Sequence, residues 1–185
     1  MQMLTDIEFY NSPSGEVLYK SASQPVAILH EGDSIIEEMM TTIEERYPEA
    51  FRALSALYSI SSINRRYYEY RIVVRFIRCN FGEYDEMDKD INADGHFTFE
   101  EVRCPLRGIC IHEGIICKPT LNTTLTDREI EVMREIVSNL SPDQIAEKLN
   151  ISPYTVIRHR SNIQAKLRVH SIAELVAYWH KNNLK

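Results

Sequence analysis

The last third of the chain is punctuated by helix starts, and that punctuation constrains the fold more than any other feature. Thr126 is followed three residues on by Glu129, a capping box that satisfies two free backbone donors at a helix N-terminus. Ile130, Met133, Ile136 and Val137 repeat behind it at helical spacing. Asn139 comes next, and asparagine tolerates the left-handed conformation that a C-terminal turn needs. Ser141 with Pro142 signals a second start, and Ile145, Ala146 and Leu149 form its apolar stripe. Ser152-Pro153 repeats the signal and opens a third helix to about Leu167. Ser171 and Glu174 make another capping box before Ile172, Leu175, Val176 and Trp179. Four short helices, the second and third joined by Asn150-Ile151-Ser152, outline a helix-turn-helix unit.

Charge follows the same division. The chain has 185 residues with 21 Lys+Arg against 27 Asp+Glu, a net of −6, which taken whole argues against a polyanionic partner. Split at Pro119, residues 1–119 carry 12 cations against 20 acids, and residues 120–185 carry 9 against 7. Within 150–185 there are six cations (Arg158, Arg160, Lys166, Arg168, Lys181 and Lys185) and one acid, Glu174. The polar, aperiodic stretch KPTLNTTLT at 118–126 reads as a linker. Two domains are therefore expected, 1–119 and 120–185. The longest apolar runs, such as Ile72-Val73-Val74, are too short to span a bilayer, and MQMLTDIEF lacks the basic-then-apolar order of a secretory leader. A soluble cytoplasmic protein without a membrane partner is expected.

The motifs of the C-terminal segment are Leu125-Thr126-x-Arg128-Glu129, Ile145-Ala146-x-x-Leu149-x-Ile151-Ser152, Thr155-Val156-x-x-His159 and Asn162-Ile163-x-x-Lys166-Leu167. In order and spacing, over about 60 residues, they resemble the LuxR-type (GerE-like) helix-turn-helix domain. The resemblance implies a bacterial transcription regulator that binds duplex DNA as a homodimer, with the third helix in the major groove and the fourth at the dimer contact. The residues agree with that placement. Val156, Ile163 and Leu167 share one face of the third helix with His159, so this face is the core side. The opposite face presents Tyr154, Ile157, Arg158, Ser161 and Ala165. Arg158 could pair two donors with guanine, and Ile157 could meet a thymine methyl. Thr155, Arg160 and Lys166 could anchor phosphates. The sequence departs from the family pattern at Ile157, where many members carry a cation, and at Arg168, where glycine is common.

The first 119 residues are expected to form a helical domain with a few short strands, so the fold class is mainly α with an α+β N-terminal half. Ser34 and Glu37 suggest a capping box opening a helix with Ile35, Ile36, Met39, Met40 and Ile43 on one face, ending near Arg46. Pro48 starts a second helix carrying Phe51, Leu54 and Leu57. Residues 63–78 read as a third, with Tyr68, Ile72 and Phe76 aligned, although their β-branched content leaves strand open. The arginines between them could suggest RNA, but neighbouring acids favour a solvated face. Strand-like pieces occur around 16–19 and 26–29. The alternating pattern of a phosphoacceptor receiver is missing. A regulatory or interaction role is expected for this half.

Two motifs here are tempting. Asp90-x-Asn92-x-Asp94-Gly95-x-Phe97-Thr98-x-x-Glu101 matches an EF-hand calcium loop at its ligand positions. However, Pro105 leaves little room for an exiting helix, and His96-Phe97-Thr98-Phe99 suits a strand after an Asp-Gly turn. The cysteines read Cys79-x24-Cys104-x5-Cys110-x6-Cys117, and four thiolates could bind zinc. Buried structural thiols and an iron–sulfur or redox centre are the other readings. They leave open a second function class, a metal- or redox-sensing interaction module with vestigial DNA binding. No nucleophile–base constellation or phosphate-cradling glycine loop is visible, so no enzyme is expected.

Overall fold

The computed structural model describes residues 4–22, 24–82, 89–93, 95–182 and 184. Contacts divide the chain into two compact units, residues 1–120 and 121–185. The architecture is mainly helical with one small sheet, in keeping with the expected fold class.

The first unit begins with an antiparallel sheet in the order β1 (Ile7–Asn11), β2 (Val17–Ser21), β3 (Gln24–Ile28). β1 lies outside the strand-like pieces expected at 16–19 and 26–29, because the pattern there is irregular: Ile7, Glu8 and Phe9 are all buried in succession. Three helices follow, α1 (Ser34–Arg46), α2 (Pro48–Leu57) and α3 (Arg65–Asn80), with a 3-10 turn at Ser59–Ile63 between the last two. α1 starts one residue earlier than its motif implied. Asp33 occupies the cap position, so the Ser34–Glu37 capping box does not form. Residues 65–80 are helix rather than strand, because Ile72, Val73, Phe76 and Ile77 bury one face together.

The core of this unit is aromatic. Phe9 stacks on Phe81 with ring centroids 5.6 Å apart, and Tyr47, Phe76, Phe97 and Phe99 close round them. Buried polar groups pin the irregular segments to this core. The Asn80 side chain donates to Phe76 O and Ile116 O at 2.9 and 2.8 Å and accepts from Lys118 N at 2.6 Å.

In the EF-hand-like segment the chain turns back between Ile91 and Phe97 through isolated bridges rather than regular strands. Ile91 bridges Ile7 on one side and Phe97 on the other, and Gly95 N donates to Asn92 O across a tight turn. Asp90, the would-be first ligand, is 1% exposed, and its carboxylate accepts from Phe9 N at 2.7 Å. No helix leaves Glu101; the chain passes straight into turns at 105–109. Asp94 and the entering stretch 83–88 lie outside the described residues.

The second unit is four helices, α4 (Asp127–Val137), α5 (Pro142–Leu149), α6 (Pro153–Leu167) and α7 (Ile172–Lys181). Each starts where its cap residue stands. Thr126 accepts from Glu129 N, Ser141 from Gln144 N, Ser152 from Thr155 N and Ser171 from Glu174 N. The Ser141 cap is a full capping box with Gln144. Glu174 reaches back to His170 N at 2.8 Å. Val132, Met133, Ile145, Val156, Ile163, Leu175 and Trp179 make the core.

Candidate nucleic-acid interface

The geometry of the turn between α5 and α6 fixes how α6 is presented. Asn150 sits in the left-handed region at φ 53°, which lets Ile151 N reach back to Ala146 O at 3.0 Å and Asn150 N to Glu147 O. These two bonds are the Schellman closure of a helix end. α4 closes the same way at Asn139, φ 61°, with Leu140 N bonded to Glu135 O. α6 ends at Arg168, φ 55°, with Val169 N bonded to Gln164 O. A left-handed backbone explains why glycine suits position 168; arginine adopts it at a strain of about 1 kcal/mol.

With both ends fixed, α6 turns Val156 and Ile163 into the core, while Leu167 packs against its edge and His159 is half-buried. Its other face is open. Tyr154 is 76% exposed and Ile157 43%, and Arg158, Ser161 and Ala165 are exposed beside them. Arg158 makes no hydrogen bond or ion pair among the described residues, so its guanidinium is available to a ligand. Ser161 turns its hydroxyl back to Ile157 O at 3.1 Å, and the Thr155 hydroxyl lies 2.8 Å from the Ser152 hydroxyl. Arg160 is half-buried and lines an apolar groove with Ile136, Leu140, Ile145, Ile157 and Ile172.

Lys166 stands apart from the other expected contacts. Its ammonium is 2.6 Å from Glu129, which is only 4% exposed, so it ties α6 to the first turn of α4. Burial pushes the Glu129 carboxyl up, but Lys166 and the Thr126 backbone and hydroxyl outweigh it and hold the group below its usual range. Nothing local in the sequence signals this tie, since the partners are 37 positions apart. Other cations of the unit are engaged as well: Arg128 donates to Leu149 O and Glu131, and Lys148 pairs with Glu135.

In the first unit Cys79, Cys104 and Cys110 are half-buried and Cys117 is buried, all as free thiols. Burial pushes the Cys79 thiol up to about 12; Arg75 opposes the shift, and hydrogen bonding to Cys117 adds to it. Among the described residues no group of three or more His, Cys, Asp or Glu side chains is gathered around one ion-sized point.

A self-capped helical unit that presents one open helix face after a left-handed turn is a helix-turn-helix domain. Residues 123–179 match the family described as bacterial regulatory proteins, luxR family, and the C-terminal unit is a LuxR-type domain. The Fimbriae Z protein of Escherichia coli (strain K12) is 50% identical over 56 residues, which is 30% of this chain and 27% of that protein. The transcriptional regulatory protein FixJ of Rhizobium meliloti is 43% identical over 53 residues, 29% of this chain and 26% of the relative. The C4-dicarboxylate transport transcriptional regulatory protein DctR of Rhodobacter capsulatus is 35% identical over 101 residues, 51% and 49% of the two chains. The chain thus spans between about a quarter and half of the length of these relatives. No solved structure matches it.

Proposed function

We propose that the chain is a sequence-specific transcription regulator that binds duplex DNA through α6 as a homodimer. The observation that carries this reading is the open face of α6. Tyr154, Ile157, Arg158 and Ser161 stand exposed on one side of a helix whose other side is locked into a core. In the major groove Arg158 would donate two bonds to a guanine edge, and Ile157 and Tyr154 would offer apolar contact to neighbouring bases. Thr155 and Arg160 would meet phosphates flanking the contacted bases. Lys166 contributes chiefly by holding α6 against α4, with its ammonium reaching a phosphate only at the expense of the Glu129 pair.

Two copies would meet through α7, whose Ile172, Ala173 and Ala177 are exposed, and would read two half-sites. The protein acts by binding rather than by chemistry, and residues 1–120 serve as its regulatory or interaction part. Among the described residues no helix is long and apolar enough to cross a membrane, and a cytoplasmic location suits the role. With only 9 cations against 7 acids after residue 119, non-specific affinity is modest and tight binding depends on base contacts and dimerisation.

Selection of bound duplexes from a random pool by the full chain tests the proposal. The expected outcome is an enriched site with two related halves. On that site Arg158→Ala weakens binding by about 1–3 kcal/mol, roughly five- to 150-fold, at fixed salt. A pool that shows no enrichment would sink the reading.

A further inference from the structure

We propose that Cys79, Cys104, Cys110 and Cys117 bind one thiophilic metal centre, a zinc ion or an iron–sulfur cluster, that closes the 104–117 loop onto the end of α3. Three features of the first unit point there independently.

The first is placement. Asn80 clamps the backbone on both sides of Cys117, through Ile116 O at 2.8 Å and Lys118 N at 2.6 Å. Cys79 is the residue before Asn80, so the clamp sets Cys117 beside it. The Asn80 carbonyl accepts from Glu100 N at 2.9 Å, and Glu100 in turn accepts from Gly82 N. The bond from Glu100 N draws in the extended chain that reaches Cys104 four residues later. Both ends of the cysteine loop are therefore anchored at the C-terminal end of α3.

The second is the character of the loop itself. Residues 104–117 are a chain of tight turns, with Arg107 N bonded to Cys104 O, Cys110 N to Leu106 O, Glu113 N to Cys110 O and Ile116 N to His112 O. Gly108 and Gly114 supply left-handed positions within it. Ile109 and Ile111 are 77% and 84% exposed, and only Ile116 and Cys117 reach the core. A segment this long, with no regular element and little apolar burial of its own, is the kind that a metal cross-link organises.

The third is an unpartnered donor. Arg75 lies one helical turn before Cys79 on the same face of α3, and its Nε is buried without a hydrogen-bond partner. A divalent ion held by four thiolates is a dianion, and a neighbouring guanidinium donor is the group that such a centre would satisfy.

As thiols, the four sulfurs are not yet gathered around one point. For zinc, loading exchanges four S–H bonds for four metal–sulfur bonds and releases four protons to solvent, while Cys104 and Cys110 swing inward on their turns. For an iron–sulfur cluster the same four thiolates would cap the irons, with inorganic sulfide supplied alongside.

The test uses the purified full chain. Zinc, iron and acid-labile sulfide are measured on the protein as isolated, and the metal-free protein is titrated with Co2+. The expected result is about one zinc per chain, or iron with matching sulfide, together with an intense sulfur-to-cobalt charge-transfer band on titration. Cys79→Ser, Cys110→Ser and Cys117→Ser should each lower metal affinity tenfold or more. The idea is overturned if the wild-type protein carries neither metal and shows no cobalt–thiolate band. Full metal retention by all three variants would overturn it equally. The cobalt spectrum of the unmutated chain keeps the test decisive even if a serine variant fails to fold.

Discussion

In residues 121–185 every helix begins on a Ser or Thr side chain that accepts from the backbone three residues on, and α4, α5 and α6 each close through a left-handed residue. In residues 1–120 neither α1 nor α2 has a side-chain cap bond, and only α3 does, through Asn64. What the first unit lacks in local closure it makes up with long-range pins: Asn80 to 116 and 118, Asp90 to Phe9, and Arg46 to the Gly95 carbonyl. One unit is specified element by element, the other by contacts across its length. The two designs should respond differently to mutation, and the single tryptophan, Trp179, lies in the C-terminal core, so its fluorescence reports on that unit alone.

The largest effect is expected at Asn80. Asn80→Ala leaves Ile116 O and Lys118 N without their partner and should cost about 3 kcal/mol in the first unit, read by urea denaturation followed by tyrosine signal or circular dichroism. The Trp179 transition should stay where it is. A shift of both transitions together would break the comparison.

Next comes the Glu129–Lys166 tie, an ionic pin that joins α6 to α4 across 37 positions. Glu129→Gln should cost about 2 kcal/mol by Trp179 fluorescence in urea. Because the folded carboxyl is held below its ordinary value, its stabilisation is present at neutral pH. It is lost as pH falls from the ordinary carboxylate range through the lowered folded value. The wild-type unit should therefore lose stability on acidification, and Glu129→Gln should show a flatter profile over that range.

A paired substitution sharpens the contrast in caps. Thr126→Ala removes a cap and should cost about 1 kcal/mol. Ser34→Ala removes a serine with no cap bond and should change stability by less than about 0.5 kcal/mol. Equal effects would show that the two units do not differ in this respect. The smallest change is a gain: Arg168→Gly relieves the left-handed strain and should stabilise the C-terminal unit by up to about 1 kcal/mol.

The same contrast decides what could be read from the sequence. α4 to α7 were legible because their signals are local: a cap, a stripe at helical spacing, a residue suited to positive φ. The exposed face of α6 followed from the same periodicity. Glu129–Lys166 was not legible, since its partners are far apart. β1 was hidden by buried Glu8, which breaks the alternation expected of a strand. The Asp90 loop carried the letters of a calcium site, yet Asp90 is turned into the core by Phe9, which only tertiary structure reveals. Ser34 matched a capping box by spacing alone, but Asp33 took the cap position and bonds His30 N instead.

The left-handed stops at Asn139, Asn150 and Arg168 also bear on how the chain reaches its fold. Each closes a helix on residues no more than five positions back, so little loop entropy is lost before native bonds form. The first unit must instead bring Phe9 to Asp90 across 81 positions and Asn11 to Phe81 across 70. Non-local pairing of this kind is slow. During synthesis that slower half leaves the ribosome first, and the delay before residues 121–185 emerge gives its aromatic core a head start over a partner that folds quickly.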